Sequence, residues 1–505
     1  MDQVIAEMRE ERPPSAPLIR PERYGFFDKL LFAVFVLAVP PFVASNWSVF
    51  RDGDVSWHVA AGRWIIEHWR IPATDPFSFT MAGQPWVAHE WLPEVIYAGA
   101  YDLAGHAGLA ATVALALMAL FGVLFASLRK AAGPIALLVA FAALYCVLQP
   151  FVLARPHVFA WVLLAGWSAV LLDSRDKKRP PPWPLVAVMF VWANFHASFL
   201  IGFAVAACIA FDACSAARWH KPVVSRWFLF GMASLAAALL NANGIAGFMH
   251  PFTISGMETL QSIGEWKPSA PRLTPVFYAT LLGGLAAIVL RRPRFRLGEV
   301  VLLVATLGLA FTHIRHQAVF MILAVLIVTP KLAGQGRKAA APVFASPAQR
   351  NGWIAVAVVI ALGIAAVRAA IPLQPRESFA NPRGLIAHVP AGLKREPVIN
   401  EYSMGGPLIL AGVSPFIDGR ADMYGDAFVK DYMKIIGGDV SVFNRKVCTY
   451  GVRWTMLQLD NPMLKALDAS SSWKRIYSDS VGAIHMRTGD LPPGCGEDAK
   501  RQDRG

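Results

Sequence analysis

Residues 51–58 read RDGDVSWH, with two carboxylates and an imidazole just past an apolar run. Asp54 and His58 are four apart, so a helix beginning here turns both to one face, with Asp52 before them and Trp57 and Arg63 nearby. A second stretch, HEWLPEV, opens with His89 and Glu90. Carboxylates beside imidazoles can take or orient a hydroxyl proton, and indole rings suit both interfaces and sugar faces. The plainer alternative is that Asp52 and Asp54 only end an apolar segment, with Asp54 capping the helix that follows. Farther on, FIDGRADMYG packs Asp418, Arg420, Asp422 and Tyr424 just after an expected strand. Ligands often meet α/β sheets at the carboxyl ends of strands, so Asp418 and Arg420 are candidate binding residues. The alternative there is a buried Asp–Arg pair that fixes a turn.

The elements that must position these residues are mostly membrane spans. The chain has 505 residues, of which 55% are hydrophobic and only 16% charged, against about 25% charged in an ordinary soluble domain. The formal net charge of +13 is read as basic cytoplasmic loops, not as a nucleic-acid surface. Eleven apolar runs approach span length: 26–45, 107–127, 134–151, 157–173, 184–196, 197–213, 227–243, 275–290, 297–313, 316–330 and 353–371. With the N-terminus cytoplasmic, the basic clusters around Arg175–Arg179 and Arg291–Arg296 fall inside. Both flanks of 184–213 are basic, which splits that stretch into two spans. The odd count leaves the C-terminal part outside, with the first loop.

The expected fold is therefore an α-helical polytopic membrane protein of about eleven transmembrane helices, with a C-terminal periplasmic α/β domain. Its divisions are a cytoplasmic tail (1–25), a transmembrane domain (26–371), the α/β domain (372–487) and a disordered tail (488–505). Residues 46–106 form one large outer loop with two interfacial helices, 54–69 and 89–104. In the C-terminal domain, 398–400, 414–418, 454–459 and 483–486 read as strands, with helices between them. Cys448 and Cys495 share the outer side, and their pairing is left open. No CxxC pair, GxGxxG or Walker spacing appears, so neither a zinc motif nor a nucleotide site is expected.

The order of DVSWHVAAGRWI (54–65), HEWL (89–92), ARPH (154–157), WANFHASF (192–199), GEW (264–266), IRHQ (314–317), EYSMGG (401–406) and FIDGRADMYG (416–425) resembles the bacterial GT-C glycosyltransferase superfamily. Its members include aminoarabinose and protein O-mannosyl transferases. The resemblance implies a polyprenyl-phosphate-linked sugar donor, a glycan, lipid or protein acceptor, and transfer on the periplasmic face of the bacterial inner membrane. It implies that Asp54 is the catalytic carboxylate. Asp52, His58, Arg63, His89, Glu90 and His196 are candidates to line the substrate site, and Arg155, His157, Arg315 and His316, which fall at outer span ends, are candidates to hold the phosphate; the alternatives are headgroup anchoring for the arginines and plain interfacial polar residues for His157, His196 and His316. Many GT-C enzymes carry a second acidic residue where this chain has ARPH. A basic residue there leads to the expectation of metal-independent chemistry with no cofactor, although Glu90 or Glu265 could supply the missing carboxylate. Two rival readings remain. A glycolipid transporter or flippase tends to place ionisable groups near mid-membrane, and a non-catalytic envelope-assembly scaffold would keep the fold without the chemistry.

Overall fold

The computed structural model describes residues 47–262, 264–333, 376–489, Leu491 and Cys495, with positions 351, 352, 355 and 359. The expected cytoplasmic tail and first span lie outside the described residues. So do nearly all of the last span, most of the 331–350 linker and most of the 488–505 tail.

A short turn, Trp47–Phe50, leads into α1 (Asp54–His68). The bundle follows: α2 (Trp91–Leu128), α3 (Pro134–Leu148), α4 (His157–Asp176), α5 (Pro184–Ala193), α6 (Phe199–Ala216), α7 (Lys221–Leu239), α8 (Gly244–Ser255), α9 (Pro275–Arg291), α10 (Leu297–Thr312) and α11 (Gln317–Ala333). Prolines stand in the first turn of α3, α5, α7 and α9, where a missing N–H leaves nothing unsatisfied. By length and composition, α2, α4, α6, α7 and the run Ile314–Ala333 can cross a membrane. Helices α5, α9 and α10, and the run Ile135–Phe151, are apolar but shorter. These nine helices coincide with the nine expected spans that fall on described residues. The stretch 184–213 is divided, with Asn194–Ser198 between α5 and α6. Helix α2 is broken by non-helical dihedrals at Ala104 and Gly105. Its first part falls where a helix was expected over 89–104, and its second where one was expected over 107–127. Helix α8 was not anticipated. Its exposed Ile245, Met249 and Phe252 recur at helical spacing, while His250 is buried on the other side.

At the end of the bundle away from Asp54, Arg175 of α4 pairs with Asp212 of α6 at 3.2 Å and Glu299 of α10 at 2.9 Å. Lys331 of α11 reaches Glu299 at 2.9 Å. Four helices are thus tied through satisfied, buried charges.

The C-terminal residues form a mixed four-stranded sheet with helices packed on it: α12 (Arg383–Ala387), β1 (Val398–Asn400), α13 (Gly405–Leu410), α14 (Ala421–Ile436), α15 (Val440–Tyr450), β2 (Trp454–Gln458), α16 (Met463–Ala469), β3 (Trp473–Ser478) and β4 (Gly482–Arg487). The strand order is β1-β2-β4-β3. β1 and β2 are parallel, and the other two pairs are antiparallel.

Residues 414–418, expected as a strand, are not one. The Asn400 side chain takes the ladder's place, accepting from Phe416 N–H and donating to the Ile417 carbonyl, both at 2.8 Å. Strand β3 went unread because its sequence, WKRIYS, is charged and mostly exposed, as an edge strand is. A disulfide joins Cys448 and Cys495, so part of the tail expected to be disordered is tethered to α15.

Candidate functional site

The RDGD loop is fixed before any ligand is considered. The Asp54 N–H donates to Asp52 Oδ1 at 3.0 Å. Gly53 holds the N-cap position without a side-chain cap, so Asp54 is not the cap of the plainer alternative but the first residue of α1. The ARPH loop is pinned beside it. The Ala154 N–H donates to the Val49 carbonyl at 3.0 Å, the Tyr97 hydroxyl donates to the Arg155 carbonyl at 2.9 Å, and Arg51 donates to the Pro150 carbonyl.

Arg155 consequently enters a cluster of carboxylates. Its Nη2 lies 3.0 Å from Asp54 Oδ2, and its Nη1 lies 2.9 Å from Asp52 Oδ2 and 3.4 Å from Glu265 Oε2. Glu265 Oε1 reaches Arg315 Nη1 at 3.0 Å, and the Arg315 guanidinium lies 4.6 Å from the centre of the Trp266 ring. Burial and the Asp52 carboxylate push the Asp54 carboxyl up to about 8, against the opposing pull of Arg155. Glu265 has the opposite fate. Burial works against its charge, but Arg315 and Arg155 outweigh it and hold the group down to about 2.

A second group is built around Glu90. The Nε2 atoms of His196, His89 and His58 lie 3.5, 3.8 and 3.9 Å from its carboxylate oxygens. The other ring nitrogen of His58 stands 3.3 Å from Glu94 Oε1. Burial raises Glu90 to about 7, although Arg155 and Arg315 pull it down, and burial lowers His89 to about 4. Asn194 locks this corner together. Its side-chain oxygen accepts from Trp91 Nε1 at 2.8 Å and from the Ala242 N–H at 3.0 Å.

The C-terminal domain roofs the Asp54 carboxylate. A Cβ placed on Gly419 would lie 1.7 Å from Asp54 Oδ1, and one on Gly53 would lie 1.9 Å from the Ser403 carbonyl oxygen. EYSMGG and FIDGRAD thus press directly on RDGD, and only residues without a side chain permit the approach. On the Glu90 side, Asp422 lies 3.5 Å from His250, whose ring is tilted against His89 with centroids 4.3 Å apart.

Asp52, Asp54, Arg155 and Arg315 therefore meet, with Glu265, and His58, His89, Glu90 and His196 form the adjoining group. Five candidates stand outside these two sets of contacts. Arg63 lies out on the surface, pairing with Asp102 at 2.8 Å. Asp418 and Arg420 are buried and fully engaged: Arg420 donates to Asp418 at 2.8 and 2.7 Å and to Asp75 Oδ1 at 2.7 Å, and the Tyr424 hydroxyl donates to Asp418 at 2.7 Å. This is the turn-fixing pair of the alternative reading, and it also bolts the first loop to the C-terminal domain. His157 lies 2.7 Å from the Phe151 carbonyl, and the His316 ring stands edge-on to Trp266 with centroids 6.5 Å apart. The residues the sequence reading missed are Glu94, His250, Trp266 and Gly419. Glu94 does fall on the same helical face as Glu90, four residues on. Among the described residues, no three His, Cys, Asp or Glu side chains are arranged to hold a metal ion.

No family model and no curated protein matches the chain. Solved structures do. ArnT from Cupriavidus metallidurans, bound to undecaprenyl phosphate, superposes with a TM-score of 0.52 at 15% identity, over 91% of this chain and 98% of that one. The archaeal oligosaccharyltransferase AglB from Archaeoglobus fulgidus, in complex with an inhibitory peptide and a dolichol-phosphate, gives 0.54 at 10% identity over 92% and 75%. An apo oligosaccharyltransferase from the same organism gives 0.50 at 11% identity over 84% and 69%. The fold is GT-C-like.

Proposed function

We propose, with the GT-C-like fold as premise, that this membrane protein is a glycosyltransferase that moves a sugar from a polyprenyl-phosphate-linked donor to a glycan, lipid or protein acceptor. The observation that carries the reading is the Asp54–Arg155 contact at 3.0 Å beneath the Gly419 turn. It sets a proton acceptor beside a phosphate-binding cation. In the reaction, the acceptor hydroxyl attacks the anomeric carbon and gives its proton to Asp54. The bond from that carbon to phosphate oxygen breaks, and the phosphate leaves with the electron pair. Arg155 and Arg315 neutralise the charge that develops on it. A carboxyl near 8 is basic enough to accept a proton close to neutral pH. The solved relatives bound to undecaprenyl phosphate and dolichol-phosphate support the donor class.

The reading places the cleft on the periplasmic face of an inner membrane. The Cys448–Cys495 disulfide supports it, because such bonds persist in oxidising compartments. It is also metal-independent: Arg155, in contact with Asp52, Asp54 and Glu265, already supplies a cation at the carboxylates. Full activity in excess chelator is expected, and complete loss restored by manganese or magnesium overturns this part.

The test of the whole is mass spectrometry of lipid-linked sugars and envelope glycans in wild-type cells, a deletion and an Asp54→Asn strain at equal expression. Deletion and Asp54→Asn should accumulate one donor and lose one glycan. A phenotype in the deletion alone would show a carrier or scaffold instead.

A further inference from the structure

The arginines that face the cleft already share one anion. Glu265 gives one oxygen to Arg315, at 3.0 Å, and the other to Arg155, at 3.4 Å. A single carboxylate spanning two guanidinium groups presents the contacts that two oxygens of a phosphate would make. The three side chains keep 25, 23 and 16% of their surface for Glu265, Arg315 and Arg155, so an incoming group can reach them. The backbone just beyond Glu265 is held firmly. The Ile314 N–H donates to the Lys267 carbonyl at 3.1 Å, and His313 Nδ1 lies 2.7 Å from the Trp266 carbonyl. Glu265 can therefore leave the arginines by rotating its side chain, without moving the segment.

We infer that Glu265 is a resident stand-in for phosphate, bridging Arg155 and Arg315 while the site is empty and displaced when a prenyl phosphate or phosphodiester enters. The inference rests on the reading of these two arginines as the phosphate clamp. Without Glu265, Arg155 would keep Asp52 and Asp54, but the partly buried Arg315 guanidinium would lose its carboxylate partner, which is costly. Glu265 removes that cost in the empty state and lowers net affinity in the occupied one, since its own contacts must first be broken. Because the arginines keep the carboxylate ionised far below neutral, it competes throughout the working pH range. Its return to the clamp also helps expel the spent carrier phosphate.

The experiment is equilibrium binding to the purified full-length protein in detergent, with a short-chain polyprenyl phosphate and, separately, inorganic phosphate. Glu265→Gln, close in shape but uncharged, should bind the prenyl phosphate about tenfold more tightly than wild type. Glu265→Ser should move in the same direction. Tightening for both probes assigns the phosphate alone as sufficient; tightening for the lipid only assigns the lipid carrier. Unchanged or weaker binding in both variants, with wild type still binding and Arg155→Gln and Arg315→Gln impaired, overturns the stand-in and leaves the clamp intact. If Arg155→Gln and Arg315→Gln bind as well as wild type, the clamp itself falls, and the inference with it.

Discussion

Asp54 and Glu265 touch the same guanidinium yet are driven in opposite directions. Asp54 meets the neighbouring Asp52 carboxylate, whereas Glu265 is shared between two arginines. The pH profile of transfer should report this. Asp54 must be ionised to accept a proton, and its pKa is raised, so kcat/KM should rise with pH through an inflection near 8 and level off above it. Below the inflection it should fall about tenfold per pH unit. Steady-state kinetics from pH 6 to 10 would show this limb, and a flat profile would remove Asp54 from the base role.

At the scale of elements, the site is made by six segments: RDGD leading into α1, ARPH before α4, GEW before α9, IRHQ opening α11, and the two turns of the C-terminal domain. Gly419 is the tightest of these junctions. Gly419→Ala should force the domain and the Asp54 carboxylate apart, with a loss in kcat of about a hundredfold or more, while far-UV circular dichroism stays unchanged. Activity within about twofold of wild type would mean that the roof moves freely. This junction is invisible in the sequence, because the two partners come from opposite ends of the described chain. Apolar runs with basic flanks, by contrast, announce helices locally, so the bundle helices on described residues and the helical start of α2 could be read. Residues 414–418 misled because SPFID has the composition of a strand, while its backbone partner is the side chain of Asn400. Likewise, Asp418 and Arg420 carry the residue types of a ligand site. Only the arrival of Asp75 from the first loop shows that they are already satisfied.

At the scale of the whole molecule, the Asp75–Arg420–Asp418 bolt joins the loop between α1 and α2 to the C-terminal domain. Arg420 is 2% exposed, with its guanidinium 5.1 and 4.8 Å from the ring centres of Phe77 and Trp86. Arg420→Met strands two buried carboxylates and should cost about 3–5 kcal/mol, read as a lowered Tm and faster proteolysis between the bundle and the domain. A change in Tm under about 2 °C would show that the junction rests on other contacts. The roof has a further consequence for how the molecule comes into being. Asp54 is translated early, but β2, on which the turns above it depend, finds its partner β4 only when residues 482–487 have been made. A nascent chain therefore carries the Asp54 carboxylate unroofed until residues 482–487 have been made, and a ribosome that stalls earlier in the C-terminal domain leaves behind a bundle without its roof.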